Sequence, residues 1–169
     1  MKQLILETQI DKPTMIRTMV DYTESLGLQI IEQNIDKPWG AYFRFDEKNI
    51  DIFIQEFFSD VRVEKNGLLT PKILVLAPHG VLSWQYHNRR AELWKVLLGP
   101  MDIIHSTTDD LTPPVRKYAR DIIQHDKLIR HRLIATDVWG AFAEIWQHTD
   151  PANPSTEEDI VRIQDQYGR

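Results

Sequence analysis

Residues 82–99, LSWQYHNRRAELWKVLLG, carry Gln85, His87 and Glu92 in the order Q-x-H-x4-E. Side chains two apart on a strand share a face, so Gln85 and His87 point the same way. A polar break at Asn88, Arg89 and Arg90 follows. A second strand is predicted to begin near Glu92, with Trp94, Val96 and Leu98 on its face. A hairpin of this kind would turn an amide oxygen, an imidazole nitrogen and a carboxylate toward one point. That donor mix suits a borderline divalent ion, Zn2+ first, with Fe2+, Mn2+ or Co2+ as alternatives. One further ligand is required, and His131 in the run IRHRL is the candidate.

The surrounding chain must supply strands to hold these groups. Residues 14–26 place Met15, Met19, Tyr22 and Leu26 at spacings of four, three and four, which predicts an amphipathic helix between Pro13 and Gly27. A short strand is expected at 28–31. Alternating or apolar runs at 41–45, 71–77, 129–135 and 139–147 read as strands, the last with Phe142, Glu144 and Trp146 on one face. Residues 50–58, IDIFIQEFF, are rich in β-branched and aromatic side chains but also compatible with a helical turn, and residues 115–123 fit strand or helix. Turn signals fall at the KPWG of 37–40, at Asn66-Gly67, at the PHG of 78–80, in the polar segment 106–114 and in the TDPANPST of 149–156. The charged tail 157–169 offers Ile160 and Ile163 as apolar contacts. Many short strands between such turns predict an all-β, antiparallel double-sheet barrel. Residues 1–34 read as an N-terminal helical extension packed on it, and 35–169 as the barrel domain.

Composition narrows the function. The 169 residues are 42% hydrophobic, enough for one domain with a core. With no cysteine, disulfides and thiolate metal sites are excluded. A net charge of −5 gives no basic footprint for nucleic acid. The opening MKQLILETQIDK has too short an apolar run for a signal sequence, and no stretch reaches membrane-spanning length, so a cytoplasmic protein without membrane contact is expected.

The motif also resembles a family. Cupins carry G…H-x-H-x(3,4)-E-x6-G followed by a second motif with one more His. Here Gln85 stands at the first His, His87 at the second, Glu92 at the carboxylate and Gly99 six residues beyond the Glu. Within the cupins, LSWQYHNRRAELW is similar to the LSLQ-x-H-x-HRAEHW signature of type II phosphomannose isomerases. KPWG at 37–40, His131-Arg132-Leu133, and EDIVR…D.YGR at 158–169 extend the likeness over most of residues 37–169. The sequence departs from the signature at Arg89 and Leu93, which replace histidines. In the second motif, Asp126, Leu128 and Ala135 stand for Pro, Gly and Asn, and only His131 is kept.

The resemblance implies a cupin jelly roll, a double-stranded β-helix barrel, here with an N-terminal helix. It implies a metal-dependent isomerase that interconverts mannose 6-phosphate and fructose 6-phosphate and feeds sugar-nucleotide or polysaccharide synthesis. Gln85, His87, Glu92 and His131 would hold the metal. Arg90 or Arg132 would stabilise an enediolate or phosphate, with Arg89 and Lys37 as further substrate contacts. Glu144 is a candidate base. Guanidinium groups chelate phosphate bidentately, although these arginines would equally serve as solvated strand edges paired to acids. Trp39 would plug one barrel end. His79, His105, His125 and His148 have no partners at recognisable spacing and read as structural. By parity Trp84 and Tyr86 should face away from Gln85 and His87, as packing residues. A sugar phosphate is the expected partner, with a homodimer possible. Two other classes stay open: a non-catalytic sugar-phosphate-binding cupin and an Fe2+ cupin oxygenase.

Overall fold

The computed structural model describes residues 10–65 and 67–168. The first nine residues, Asn66 of the expected turn and Arg169 lie outside them. Helix α1 (Lys12–Ser25) starts on Asp11, whose side chain accepts from the backbone N–H of Thr14 at 2.9 Å. It buries Met15, Met19 and Thr23. The first strand, β1, spans Ile30–Asn34, beginning two residues later than its sequence pattern suggested, and pairs with β2 (Gly40–Phe45). Helix α2 (Ile50–Phe57) settles the ambiguous 50–58 segment. Phe53 and Phe57, four apart, are fully buried and meet at 4.8 Å between ring centroids, so helical spacing outweighs β-branched content there.

The remaining strands are β3 (Leu69–Leu76), β4 (Trp84–His87), β5 (Arg90–Leu98), β6 (Met101–Ser106), β7 (Val115–Lys117), β8 (Ile122–His125), β9 (Arg130–Ala135), β10 (Gly140–His148) and β11 (Ile160–Gln164). All pair antiparallel in two sheets, ordered β1-β2-β3-β10-β5-β8 and β11-β4-β9-β6-β7. The expected hairpin between β4 and β5 does not form, because the two strands belong to different sheets. The corner between them is held by the buried Asp159 carboxylate, which accepts from the backbone N–H groups of Asn88 (3.3 Å) and Arg89 (3.0 Å). Those two donors would otherwise be orphaned as the chain changes sheet.

Alternation along each strand divides the core. One set of side chains on the six-stranded sheet, including Phe43, Phe45, Ile73, Val75, Leu93 and Ile145, packs under α1 and α2. The opposite set forms a second cluster with Met101, Ile103 and Leu133 of the five-stranded sheet. Gly40 is required at the β2–β3 contact: its φ is +148°, and a Cβ there would lie 1.9 Å from the Val75 carbonyl oxygen.

Candidate metal centre

Register sets out the inner face of the six-stranded sheet in rows. Thr70, Trp146, Glu92 and His125 stand side by side across β3, β10, β5 and β8. Lys72, Glu144, Trp94 and Ile123 form the next row, and Leu74, Phe142 and Val96 the one after it. The polar groups therefore enter on the first two rows, while the third closes the interior with apolar side chains. Across from them, β4 and β9 contribute His87 and His131, and Gln85 pairs with His131.

Glu92, His87 and His131 are each about 98% buried and converge. His87 Nε2 lies 3.1 Å from Glu92 Oε1 and 3.2 Å from His131 Nε2, and His131 Nε2 lies 3.3 Å from Glu92 Oε2. Donors held at ~2.0–2.1 Å on one tetrahedral ion would be roughly 3.3 Å apart, so these spacings fit a shared divalent ion. Two imidazole nitrogens facing each other at this distance also need a proton or a cation between their lone pairs. The Ile129 carbonyl lies 3.0 Å from His131 Nδ1, which must therefore donate and leave Nε2 free to ligate. Protonation favours the same role. Burial pushes His131 down to about 3, against the pull of Glu92, so its imidazole is neutral at physiological pH. Burial alone would raise Glu92, but His87 and the Arg90 guanidinium hold it well below the usual carboxylate range. A neutral imidazole and an ionised carboxylate are the ligating forms.

Arg90 is buried at 2% exposure, and its donors are engaged by the protein. Nε donates to Glu92 Oε1 at 2.8 Å, and one terminal nitrogen reaches Ser155 Oγ at 3.0 Å and the Thr156 carbonyl at 3.2 Å. The other lies 3.3 Å from His87 Nε2, and the guanidinium stacks 3.4 Å over the Trp146 ring. Arg90 thus ties Glu92 to the 155–156 segment rather than projecting a free fork.

A cavity of about 70 Å³ opens beside this cluster, lined among others by Gln85, Arg90, Glu92, Trp94, Glu144 and Lys72. Lys37 and the exposed Arg162 stand at its rim. Glu144 accepts from Trp94 Nε1 at 2.9 Å. Burial, reinforced by the nearby charge of Glu92, raises its pKa from 4.5 to about 8. A native pKa above the unfolded one means that the folded state binds more protons between pH 4.5 and 8, so stability falls as pH rises through that window. His131 and His125, both lowered, act oppositely below their unfolded value of 6.5. In chelator-treated protein, stability is therefore expected to climb toward pH 6.5 and then fall toward pH 8. The fall is at most about 2 kcal/mol at 1.36 kcal/mol per pH unit. Glu144→Gln should abolish it in urea titrations at each pH, and an unchanged fall would show that Glu144 titrates normally.

Of the other expected site residues, Gln85 and Lys37 line the cavity, while Arg132 and Arg89 lie elsewhere. Arg132 alternates with inward-facing His131, donates to the Gln164 carbonyl at 3.1 Å, and is not brought to the cluster. Arg89 lies at the sheet-crossing corner with its Nε 3.7 Å from Asp159 Oδ1, and it does not line the cavity. Lys37 lies 5.7 Å above the Tyr42 ring. Gln85 lines the cavity, with its Oε1 accepting from Ser83 Oγ at 2.5 Å. Trp84 and Tyr86 face other partners, the Asp109 carbonyl at 2.8 Å and the Arg130 guanidinium at 4.3 Å.

Several residues at the site are not assigned to it by the sequence, and one of them, His125, reads there as structural. Lys72, in an apolar run, lies 3.5 Å over Trp146 and donates to Glu157 at 2.8 Å. Arg162 reaches the rim because it pairs with Gln85 between β11 and β4. His125 stacks on His131 at 4.8 Å, and burial lowers it to about 4. None of these has a spacing signal; pairing between distant strands places them.

No protein-family model matches the chain, and comparison with curated proteins finds no match. Similar solved structures include a variant oxalate decarboxylase from Bacillus subtilis, at 11% identity and a TM-score of 0.57, covering 78% of this chain and 30% of that one. Another is the formate complex of Lactobacillus farciminis oxalate decarboxylase, at 13% identity and a TM-score of 0.54, covering 78% of this chain and 33% of that one. The chain thus spans about a third of the length of those enzymes. Among the described residues, no helix is long and apolar enough to cross a membrane. The structural neighbours are cupins, so the chain has a cupin-like fold of two antiparallel sheets, with a buried His87–Glu92–His131 group that could hold a divalent ion.

Proposed function

We propose that the protein is a metal-dependent aldose–ketose isomerase acting on a sugar phosphate, with mannose 6-phosphate and fructose 6-phosphate as the pair. The observation that carries this reading is Glu144: a buried carboxyl with a pKa of about 8 lines the same cavity as Glu92 of the ion-binding group. A carboxylate tuned into this range is suited to accept and return a carbon-bound proton near neutral pH. A divalent ion on His87, Glu92 and His131 would polarise the substrate oxygens and acidify the adjacent C–H.

The chain's own residues do the rest. Glu144 takes the proton from C2 of the aldose and delivers it to C1 through a cis-enediol, while the hydroxyl proton at O2 is given up and one is gained at O1. Trp94 Nε1 holds the carboxylate in place. The enclosed part of the cavity, about 70 Å³, admits the reacting end of the sugar, and the phosphate stays at the rim with Lys37 and Arg162.

The test is incubation of the Zn2+-loaded protein with mannose 6-phosphate and a panel of other hexose and heptose phosphates in D2O. Ketose formation with solvent deuterium at the transferred position is expected. Glu144→Gln should lower kcat by roughly 10²–10⁴-fold, the usual contribution of a general base. Wild-type protein that binds these phosphates but turns none over would be a binding module, and O2 consumption with Fe2+ would make it an oxygenase.

A further inference from the structure

We propose that the Glu157 carboxylate is a placeholder for the anionic group of the ligand, and that binding exchanges it for that group on the Lys72 ammonium. The proposal rests on the sugar-phosphate reading of the cavity and adds the cation that the phosphate meets there. Lys72 rises from the middle of β3, and its Nζ donates to Glu157 Oε1 at 2.8 Å. A buried ammonium left without a counter-charge is strongly destabilising, so this partner is needed whenever no ligand is bound. The pair is lopsided, with the Lys72 side chain 6% exposed and that of Glu157 54% exposed. The barrel fixes the cation, 3.5 Å over the Trp146 ring and 5.1 Å from the Tyr42 centroid. The anion sits on a single 3-10 turn, Glu157–Asp159, and is the half of the pair that can leave.

Charge and space favour the exchange. Lys37 approaches the same Tyr42 ring at 5.7 Å, so two ammoniums gather at one ring beside a single carboxylate. Partial burial would raise Glu157, yet Lys72, Arg90 and Lys37 together hold it below the usual carboxylate range. A carboxylate carries one negative charge, whereas a phosphate monoester carries about 1.5–2 near pH 7 and has three acceptor oxygens. The cavity beside the ion-binding group, about 70 Å³, is small against the roughly 300–1,000 Å³ of sites that hold small molecules. A second cavity of about 550 Å³ shares Lys72, Trp146 and Glu157 with it as lining, so the ion pair stands in the partition. Withdrawal of Glu157 uncovers Lys72 and joins the two spaces at that point.

The experiment is calorimetric titration of Zn2+-loaded wild type, Glu157→Gln, Lys72→Met and the double variant with mannose 6-phosphate, inorganic phosphate and mannose. Glu157→Gln is expected to bind both phosphates about tenfold tighter, because the ligand no longer displaces a charge-assisted hydrogen bond. Its affinity for uncharged mannose should not change. Lys72→Met should weaken both phosphates by about tenfold, and Glu157→Gln should add nothing in that background. Lys72→Gln takes its place if the Met variant does not fold. Equal or weaker phosphate binding by Glu157→Gln would mark the ion pair as purely structural and overturn the exchange, leaving the sugar-phosphate reading in place. A tightening that persists without Lys72 would also overturn it, since only general charge repulsion acts that way. Tighter inorganic phosphate in Glu157→Gln with no uptake of mannose 6-phosphate would keep the exchange and remove the sugar phosphate. No phosphate binding by any variant would overturn both.

Discussion

His87→Ala is expected to abolish tight divalent-ion binding while leaving the fold in place. The imidazole faces Glu92 at 3.1 Å and His131 at 3.2 Å, so its loss removes one of the three converging donors. Structural zinc sites gain ~10–16 kcal/mol in total from their ligands, so losing one donor should cost about 3–4 kcal/mol, or two to three decades in Kd. Because an ion that binds only the folded state adds RT ln(1 + [L]/Kd) to stability, wild type should gain ~4 kcal/mol at a thousandfold excess over Kd. The mutant should gain only about 0.4–1.4 kcal/mol at the same Zn2+ concentration. Chelator competition and thermal denaturation with and without Zn2+ measure the two effects. Retained stoichiometry and an undiminished Zn2+-induced rise in Tm would remove His87 from the site.

How much of this was legible in the sequence depended on the range of the contacts. The His87–Glu92 pair was readable because its spacing is local, and α1 because Met15 and Met19 repeat at helical period. His131 was readable only as a candidate, since no local spacing ties it to the pair, and the structure brings it there. The path of the chain between His87 and Arg90 was not readable. A polar break looks like a hairpin turn unless the Asp159 carboxylate that captures its backbone N–H groups is known. Lys72 and Arg162 were hidden for a related reason: their neighbours in space lie on strands far away in sequence, and neither stands at a recognisable spacing from the ligands. Arg90 was legible as a charge near the site, but its direction was not. Alternation places it on the inner face with Glu92, and there the carboxylate, Ser155 and Trp146 take up its donors and its face.

That engagement makes Arg90→Met the most destabilising single change expected at the site. In metal-free protein it would leave Glu92 as a fully buried carboxylate without its fixed cation, and breaking a buried pair from one side costs about 3–5 kcal/mol. Ser155 Oγ and the Thr156 carbonyl would lose their donor as well, loosening the chain leading into β11. A bound divalent ion replaces the missing positive charge beside Glu92, so saturating Zn2+ should recover part of the loss. Arg90→Lys should fall between wild type and Met. It keeps a charge within reach of Glu92 but has no planar fork to span the carboxylate, Ser155 and Trp146 together. Ser155→Ala removes an acceptor of Arg90 and also the hydroxyl that donates to Asp159 Oδ2 at 2.7 Å, and should cost about 2–3 kcal/mol. Combined with Arg90→Met it should add only the part that belongs to Asp159, because the Arg90–Ser155 contact is already lost. Urea denaturation of the four variants, in chelator and in Zn2+, gives all of these differences. An Arg90→Met protein within about 1 kcal/mol of wild type in chelator would show that Glu92 is protonated and needs no counterion, since a neutral carboxyl loses only ordinary hydrogen bonds when its partner goes.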